Sequence, residues 1–197
     1  MKNKTSTPKY KKLVETARDL FFKYGIRRVS VEEICKTSGV SKVTFYKYFS
    51  NKEALALYLV NDLLEDGTNK YRSIMAQNIS FTDRIEKFIL FKLEYSKKFS
   101  TEFYIDWVSY SPKLQQLISN WSRTIQLEFL TLLEDAQKYG EIRKSVSINF
   151  ISYFLNKLNE IARDPKLLDS YKDMYSLTRD LISFFFYGIM EREPRQE

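Results

Sequence analysis

The chain has 197 residues, of which 44% are hydrophobic, and its 5 Gly and 4 Pro favour long helices over a fold with many turns. Residues 1–52 carry 13 Lys/Arg against 4 Asp/Glu and residues 53–197 carry 19 against 21, so the net charge of +7 arises in the first quarter of the chain. With no histidine and one cysteine, the composition excludes Ser-His-Asp and Cys-His catalysis, His-ligated zinc and an intrachain disulfide.

The first quarter predicts three helices, the last two short and close together. A helix over Lys9–Tyr24 follows from apolar residues at helical spacing and from the glycine that comes next. A Ser30–Glu33 capping box opens a second helix that ends near Thr37. Gly39 permits a sharp turn, and Ser41 caps a third helix from Lys42 to about Tyr48. This order predicts a helix-turn-helix.

The third helix has two faces of different character. Phe45 and Phe49 lie four residues apart and are expected to point inward. The outward side chains offer cations and hydroxyls to phosphates and short groups to base edges: Lys42, Val43, Thr44, Tyr46, Lys47 and Tyr48. On the preceding helix, Cys35 is either a buried side chain or a redox sensor.

The remainder of the chain also predicts helices. A second capping box, Ser50–Glu53, opens a fourth helix that runs to about Ala76. The others are expected at about Thr82–Lys98, Thr101–Tyr110, Pro112–Tyr139, Ser147–Arg163 and Ser170–Arg192, with a linker around Asp164-Pro165, which makes about nine helices in an all-α fold.

Aromatic residues concentrate in the fifth and sixth helices. They are either core or the lining of a largely apolar ligand pocket. The candidate pocket residues are Phe88, Phe91, Tyr95, Phe103, Asp106, Trp107, Tyr110 and Trp121. Asp106 beside Trp107 would suit a cationic ligand. Ile85, Phe88, Ile89, Lys92 and Tyr95 share one side of the fifth helix.

The last two predicted helices are apolar on nearly every side, as expected of helices buried all round. Burial within one subunit is one explanation, and a four-helix bundle formed by two subunits is the other. The candidate interface residues are Phe154, Leu158, Leu181, Phe185 and Gly188, the last allowing close approach.

Residues 9–60 resemble the DNA-binding domain of the tetracycline-repressor (TetR) family of bacterial regulators. The resemblance rests on Ala17, Phe21 and Gly25, on the segments 29–34 (VSVEEI) and 38–49 (SGVSKVTFYKYF), and on 51–55 (NKEAL). Cys35 replaces a frequent alanine, and Ser50 a frequent proline.

The resemblance implies a homodimeric regulator, usually a repressor, that binds a pseudo-palindromic operator and releases it when a small molecule enters the C-terminal domain. Carried over by position, Ser30, Thr44, Tyr46, Tyr48 and Lys52 contact phosphates, and Lys42, Val43 and Lys47 lie nearest the bases. Ser41 is counted with them as a DNA-binding residue. The implied domains are residues 1–52, with the start of the fourth helix to about 60, for DNA binding and 53–197 for effector binding and dimerisation.

Two other function classes are weighed against this one. A helical scaffold or interaction protein whose basic N-terminus binds acidic partners is the main alternative, and an enzyme is disfavoured because no catalytic constellation is visible. No nucleotide-binding glycine motif, metal site or cofactor is predicted. Without a signal peptide or a spanning apolar stretch of about 20 residues, we expect a cytoplasmic protein.

Overall fold

The computed structural model describes residues 7–162 and 164–189, and every regular element in these ranges is an α-helix. The ten helices are α1 (Pro8–Tyr24), α2 (Val31–Ser38), α3 (Lys42–Tyr48), α4 (Lys52–Met75), α5 (Phe81–Ser96), α6 (Thr101–Ser109), α7 (Pro112–Lys138), α8 (Ile148–Ile161), α9 (Pro165–Ser170) and α10 (Met174–Ile189). The predicted all-α fold is confirmed. The predicted helix ends at Arg163 and Arg192 lie outside the described residues.

Side-chain caps set the boundaries of the first three helices. Ser30 Oγ accepts a hydrogen bond from the Glu33 backbone N–H at 3.0 Å, and Ser41 Oγ accepts one from the Thr44 N–H at 3.2 Å. These bonds satisfy amides that have no partner within their own helix. Gly39 adopts the left-handed conformation, with φ 66°, and ends α2. The predicted N-caps of α2 and α3 are confirmed.

Three predicted boundaries are wrong, and one is the start of the last helix, which lies at Met174 and not at Ser170. The fourth helix is capped by Asn51, whose Oδ1 accepts a hydrogen bond from the Ala54 N–H at 2.8 Å, and not by Ser50. The linker expected around residues 164–165 is instead the start of α9, because Asp164 caps the N–H of Lys166 at 2.9 Å and proline occupies the first turn. The count therefore rises from about nine helices to ten among the described residues.

The chain packs as two compact units. Unit 1 consists of the chain up to Gly67 together with Lys98–Asn120, and unit 2 of Thr68–Lys97 together with the chain from Trp121. Unit 1 therefore contains α6 as well as the three N-terminal helices. The functional boundary predicted between residues 52 and 53 stays a prediction.

Each unit has its own apolar core. In unit 1 the fully enclosed side chains come from α1–α4, α6–α7 and the connection between α1 and α2, and include Leu13, Phe21, Ile26, Ile34, Phe45, Leu55, Phe103 and Leu114. In unit 2 they include Phe81, Ile85, Leu133 and Ile142, against which Phe185, Phe186 and Ile189 of α10 pack. No helix in the described part of the chain has the length and apolarity needed to cross a membrane.

Candidate nucleic-acid interface

Helix α3 is held by two phenylalanines on its inner face. Phe45 is fully buried, and Phe49 is 7% exposed and stacks on the Tyr10 ring of α1, with centroids 5.9 Å apart. Phe49 also contacts Tyr58 of α4 at 5.7 Å. The inward direction predicted for both phenylalanines is confirmed, and these contacts fix which side of α3 faces solvent.

The outer face of α3 is open to solvent. Ser41, Lys42, Val43, Tyr46 and Lys47 are all exposed, Val43 to 82% and Tyr46 to 55%. An apolar side chain with this exposure lies ready for contact with a partner. Two cations and a phenol surround it, a combination that suits phosphates and base edges together. The structure thus brings these five predicted residues onto one surface.

Lys42 is already paired in the free protein. Its Nζ contacts Oε1 of Glu32 on α2, and both side chains are largely exposed. The hydrogen bond raises the pKa of Lys42 and lowers the pKa of Glu32, so both groups are charged at neutral pH. This acidic neighbour was not singled out in the sequence, because its position beside Lys42 depends on the angle between two helices.

Three further predicted residues form hydrogen bonds to other parts of the same chain through their hydroxyls. Ser30 caps α2, as described above. Thr44 Oγ1 shares a hydrogen bond of 2.9 Å with Ser41 Oγ, and the Tyr48 hydroxyl shares one of 2.7 Å with Oγ1 of Thr7, the N-cap of α1. Thr44 and Tyr48 are half-buried. These bonds tie the ends of α3 to the surrounding structure, and each hydroxyl keeps lone pairs or a proton for a second bond.

Lys52 takes a role other than the predicted phosphate contact. Its Nζ donates to the carbonyl oxygens of Ile26, Arg27 and Val29 at 2.8, 3.1 and 2.9 Å. An ammonium has three N–H donors, so all of them are used on the connection between α1 and α2. Burial lowers the pKa of Lys52, as expected for an ammonium withdrawn from water. In the absence of DNA the side chain therefore holds the connection between α1 and α2, and the phosphate contact of Lys52 stays a prediction.

The same connection is held from α6 by Asp106, which is 5% exposed. Asp106 Oδ2 accepts a hydrogen bond from the Arg27 N–H at 2.7 Å, and Oδ1 lies 2.7 Å from Arg27 Nε. Arg27 Nη2 also donates to the Ser109 carbonyl at 2.5 Å. With both oxygens engaged, Asp106 is a structural carboxylate and not the predicted partner of a cationic ligand. Sequence reasoning missed Arg27 because 79 residues separate it from Asp106.

The other predicted pocket residues fall into two groups. Phe103, Trp107 and Tyr110 belong to unit 1, where Phe103 packs against Phe22 of α1 with ring centroids 4.8 Å apart. The group in unit 2 consists of Phe88, Phe91, Tyr95 and Trp121, all half-buried. Trp121 Nε1 donates to Thr68 Oγ1 at 2.7 Å, which fixes the orientation of the indole.

The predicted interface residues differ in exposure. Phe185 is 4% exposed and lies in the core of unit 2, so it is not an interface residue. Phe154, Leu158 and Leu181 are half-buried, and Gly188 is exposed. The large exposed apolar side chains of α8 and α10, which the sequence analysis did not select, are Phe150, Tyr153, Ile161, Phe184 and Tyr187. Adjacent residues of an α-helix are rotated by about 100° around its axis, so Phe184 points away from the core that Phe185 enters.

Cys35 is a buried free thiol. Burial raises its pKa, so the reactive thiolate is disfavoured and the redox-sensor alternative loses support.

Comparison with known proteins identifies the domain that carries this interface. Residues 13–59 match the model of "Bacterial regulatory proteins, tetR family". The chain is 24% identical over 190 residues to the uncharacterized HTH-type transcriptional regulator YdgC of Bacillus subtilis, covering 92% of this chain and 93% of that one. It is 24% identical over 151 residues to the HTH-type transcriptional repressor KstR2 of Rhodococcus jostii, covering 73% and 72%.

A solved structure supports the same fold over nearly the whole chain. A putative transcriptional regulator from Saccharomonospora viridis, in complex with choline, superposes with a TM-score of 0.74 at 16% identity, covering 92% of this chain and 97% of that one. At this identity the likeness concerns the fold.

Proposed function

We propose that this chain, whose residues 13–59 match the TetR family of bacterial regulatory proteins, is a ligand-responsive transcriptional repressor in the cytoplasm that binds a pseudo-palindromic operator as a homodimer. A small-molecule effector releases it from DNA. The observation that carries this proposal is the exposed face of α3, where Lys42, Val43, Tyr46 and Lys47 stand above the buried Phe45. The scaffold alternative accounts for the basic charge but not for this capped and anchored short helix.

The roles of the exposed residues follow from their chemistry. Lys42 and Lys47 can donate to guanine or to phosphates, and Val43 can contact a thymine methyl group. The Tyr46 hydroxyl can donate to a phosphate. Binding also requires Lys42 to exchange Glu32 for DNA, which costs little because both groups of the pair are exposed.

Dimerisation is supported by the apolar surface that α8 and α10 leave uncovered. Phe184 is 71% and Tyr187 is 77% exposed, and Phe150 and Tyr153 are exposed to 58% and 63%. Phe154 joins the two helices, with its ring 6.0 Å from Phe150 and 6.3 Å from Phe184. Four large exposed rings on adjoining helices form a patch that favours association. A second copy is the proposed occupant, because a two-fold dimer matches a palindromic DNA site.

Repression and release by an effector are supported by similarity. KstR2 is named as a repressor, and the regulator from Saccharomonospora viridis holds choline. We propose that the half-buried aromatic residues of unit 2, rather than those of α6, receive the effector. A ligand that binds one dimer geometry better than another shifts the operator affinity, typically by 1–3 kcal/mol.

The DNA assignment is tested by selecting binding sites from random DNA with the purified protein, followed by salt titrations of operator and scrambled DNA. Lys42→Ala should lower the ratio of operator affinity to scrambled-DNA affinity, because the preference for one base position in each half-site is lost. Tyr46→Phe deletes one hydroxyl and should cost about 1 kcal/mol on both DNAs with an unchanged salt slope. If neither variant changes DNA binding, α3 is not the recognition helix.

The dimer is tested with a pair of adjacent residues. Phe184→Glu places a charge on the exposed patch and should yield a folded monomer in sedimentation analysis. Phe185→Glu is the matched control, because it buries the same charge in the core and should unfold unit 2. A dimer that survives Phe184→Glu unchanged at micromolar concentration would exclude this interface.

A further inference from the structure

The exposed face of α3 leaves most of the basic charge of residues 1–52 unexplained. It carries Lys42 and Lys47, whereas the segment contains 13 Lys/Arg. Four of the others contact carboxylates or carbonyl groups of unit 1, and these are Arg18, Arg27, Arg28 and Lys52. A cluster of three exposed lysines remains in the first turn of α1, formed by Lys9, Lys11 and Lys12.

The charge of this lysine cluster is not neutralised by its neighbours. No acidic residue precedes Glu15 in the sequence. Within the described part of the chain, the three ammonium groups form no ion pair and no hydrogen bond. Cations in the first turn also face the positive end of the helix dipole, which is unfavourable in the free protein. A bound polyanion would relieve both the repulsion among the lysines and their conflict with the dipole.

Contacts between α1 and α3 place the lysine cluster beside the proposed DNA-binding face. Thr7 Oγ1 caps α1 by accepting a hydrogen bond from the Tyr10 N–H at 3.2 Å, and it shares a hydrogen bond of 2.7 Å with the Tyr48 hydroxyl. The rings of Tyr10 and Tyr48 meet edge to face, with centroids 5.2 Å apart. Tyr48 ends α3 and directly follows the exposed Lys47. The first turn of α1 and the last turn of α3 are therefore neighbours within unit 1.

The geometry of α1 directs the lysine cluster toward this junction. Side chains of a helix lean toward its N-terminus, and this is the end of α1 that Thr7 joins to Tyr48. Tyr10 is 7% exposed and points inward, so Lys9 and Lys11, each rotated from it by about 100°, emerge on its two sides. The lysine cluster therefore borders the exposed face of α3.

We propose that the first turn of α1 binds the sugar-phosphate backbone of the operator through Lys9, Lys11 and Lys12, next to the base pairs that α3 contacts. The inference rests on the proposed function for DNA binding and adds a second, sequence-independent contact in each subunit. DNA carries one negative charge per about 1.7 Å of its axis, so a surface that adjoins the recognition helix meets further phosphates. Such contacts add affinity and fix the orientation of the protein without reading bases.

The test replaces the cluster by uncharged side chains of similar helix propensity, in the variant Lys9→Gln/Lys11→Gln/Lys12→Gln of the full-length protein. Affinities for the selected operator and for scrambled DNA are measured by fluorescence anisotropy at several salt concentrations. Both affinities should fall by a similar factor, on the order of 10-fold, and the salt slope should decrease by at least about one. The sequence selected from random DNA should stay the same, because α3 is unchanged.

Ethylation interference locates the contact on the operator. Ethylation of a short run of phosphates at one edge of each half-site should weaken binding of the wild type. The triple variant should lose its sensitivity at these phosphates alone. The variant Lys9→Arg/Lys11→Arg/Lys12→Arg should restore both the salt slope and the interference pattern, because a cation at these positions is sufficient.

Lys70→Gln is the matched control. Lys70 is exposed on α4 but belongs to unit 2, so its loss should leave the salt slope and the interference pattern unchanged. Urea denaturation separates a binding role from a structural one. Removing cations from the positive end of the α1 dipole should leave the urea midpoint equal or higher. A lower midpoint with an unchanged salt slope would show a structural role and refute the proposal.

Other outcomes also overturn the proposal. These are an unchanged salt slope in the triple variant, and a loss of sensitivity spread over all contacted phosphates. If the triple variant loses binding to phosphatidylglycerol vesicles but not to DNA, the lysine cluster serves a membrane surface and the proposal is wrong. Operator binding that the triple substitution leaves intact refutes the inference alone. A wild type that binds neither operator nor scrambled DNA refutes the proposed function.

Discussion

Replacing Lys52 with Met removes an ammonium while keeping most of the aliphatic stem. The three N–H donors that Lys52 directs at the carbonyls of Ile26, Arg27 and Val29 are lost together. These carbonyls belong to the connection that sets where α2 begins relative to α1. The variant therefore separates two roles that a lysine at the start of a helix could have: binding DNA phosphate, or holding the protein backbone.

The expected loss of stability follows from the bonds. The carbonyls of Ile26 and Val29 are in partly buried bonds, and each costs about 1–3 kcal/mol when left without a donor. The bond to the Arg27 carbonyl is exposed, so water can replace it. Burial of the Lys52 ammonium lowers its pKa in the folded state. Removal of the ammonium therefore also removes a desolvation cost, which offsets part of the lost hydrogen bonds. We expect a net destabilisation of about 2–3 kcal/mol.

Urea denaturation measures the stability, and fluorescence anisotropy at several salt concentrations measures DNA affinity. Lys52→Met should weaken DNA binding through a displaced α2–α3 pair, with no change in the salt slope. Lys47→Met is the contrasting variant. Lys47 is exposed on α3, so its loss should leave the stability within about 0.5 kcal/mol and reduce the salt slope by about one.

The opposite pattern would refute this reasoning. If Lys52→Met left the urea midpoint unchanged and reduced the salt slope by about one, the ammonium would leave the three carbonyls and bind phosphate in the complex. The assignment carried over from the family would then stand for the DNA-bound state.

Four further variants address other parts of the molecule. Glu32→Gln frees Lys42 and removes an acidic group from the DNA-facing surface, so affinity for scrambled DNA should rise several-fold in salt titrations, whereas a fall would contradict the assignment. Gly25→Ala would place a side chain at φ +82° and a Cβ 2.8 Å from a carboxylate oxygen of Asp106, so it should lower the free energy of unfolding in urea by about 2 kcal/mol. Gly67→Ala lies in open space within α4 and should raise that free energy by about 0.5–1 kcal/mol. Burial raises the pKa of Tyr71 to about 12, so the folded state retains this proton and stability should fall as pH rises from 10 to 12. Tyr71→Phe should flatten that fall, and an unchanged pH profile would exclude the tyrosine as its cause.

The parts that sequence predicted well depend on neighbours close in the chain. Ser30, Gly39 and Ser41 act on backbone groups within a few residues, so their spacing sufficed to place α2 and α3. The inward direction of Phe45 and Phe49 follows from helical spacing in the same way. Pro165 misled the prediction because proline ends some helices and begins others, and the cap at residue 164 decided which.

The parts that sequence did not predict depend on contacts across the fold. Lys52 and Asp106 were both assigned to external partners, because no local pattern reveals that backbone 23 to 26 residues away, or an arginine 79 residues away, takes up their charges. Phe185 was assigned to the interface, since an apolar run does not say which ring lies inward.

The discontinuous make-up of unit 1 bears on the order in which the protein folds during synthesis. The segment that resembles an independent DNA-binding module ends near residue 60. The Asp106 carboxylate that holds the Arg27 backbone is translated 79 residues after Arg27. Packing of the unit is therefore complete only once the ribosome has passed Asn120, with all of α5 made in between. Such a separation raises the contact order and slows folding relative to a three-helix module on its own. The nascent helix-turn-helix therefore lacks its contact with α6 until the ribosome has made Thr101–Ser109, about halfway along the chain.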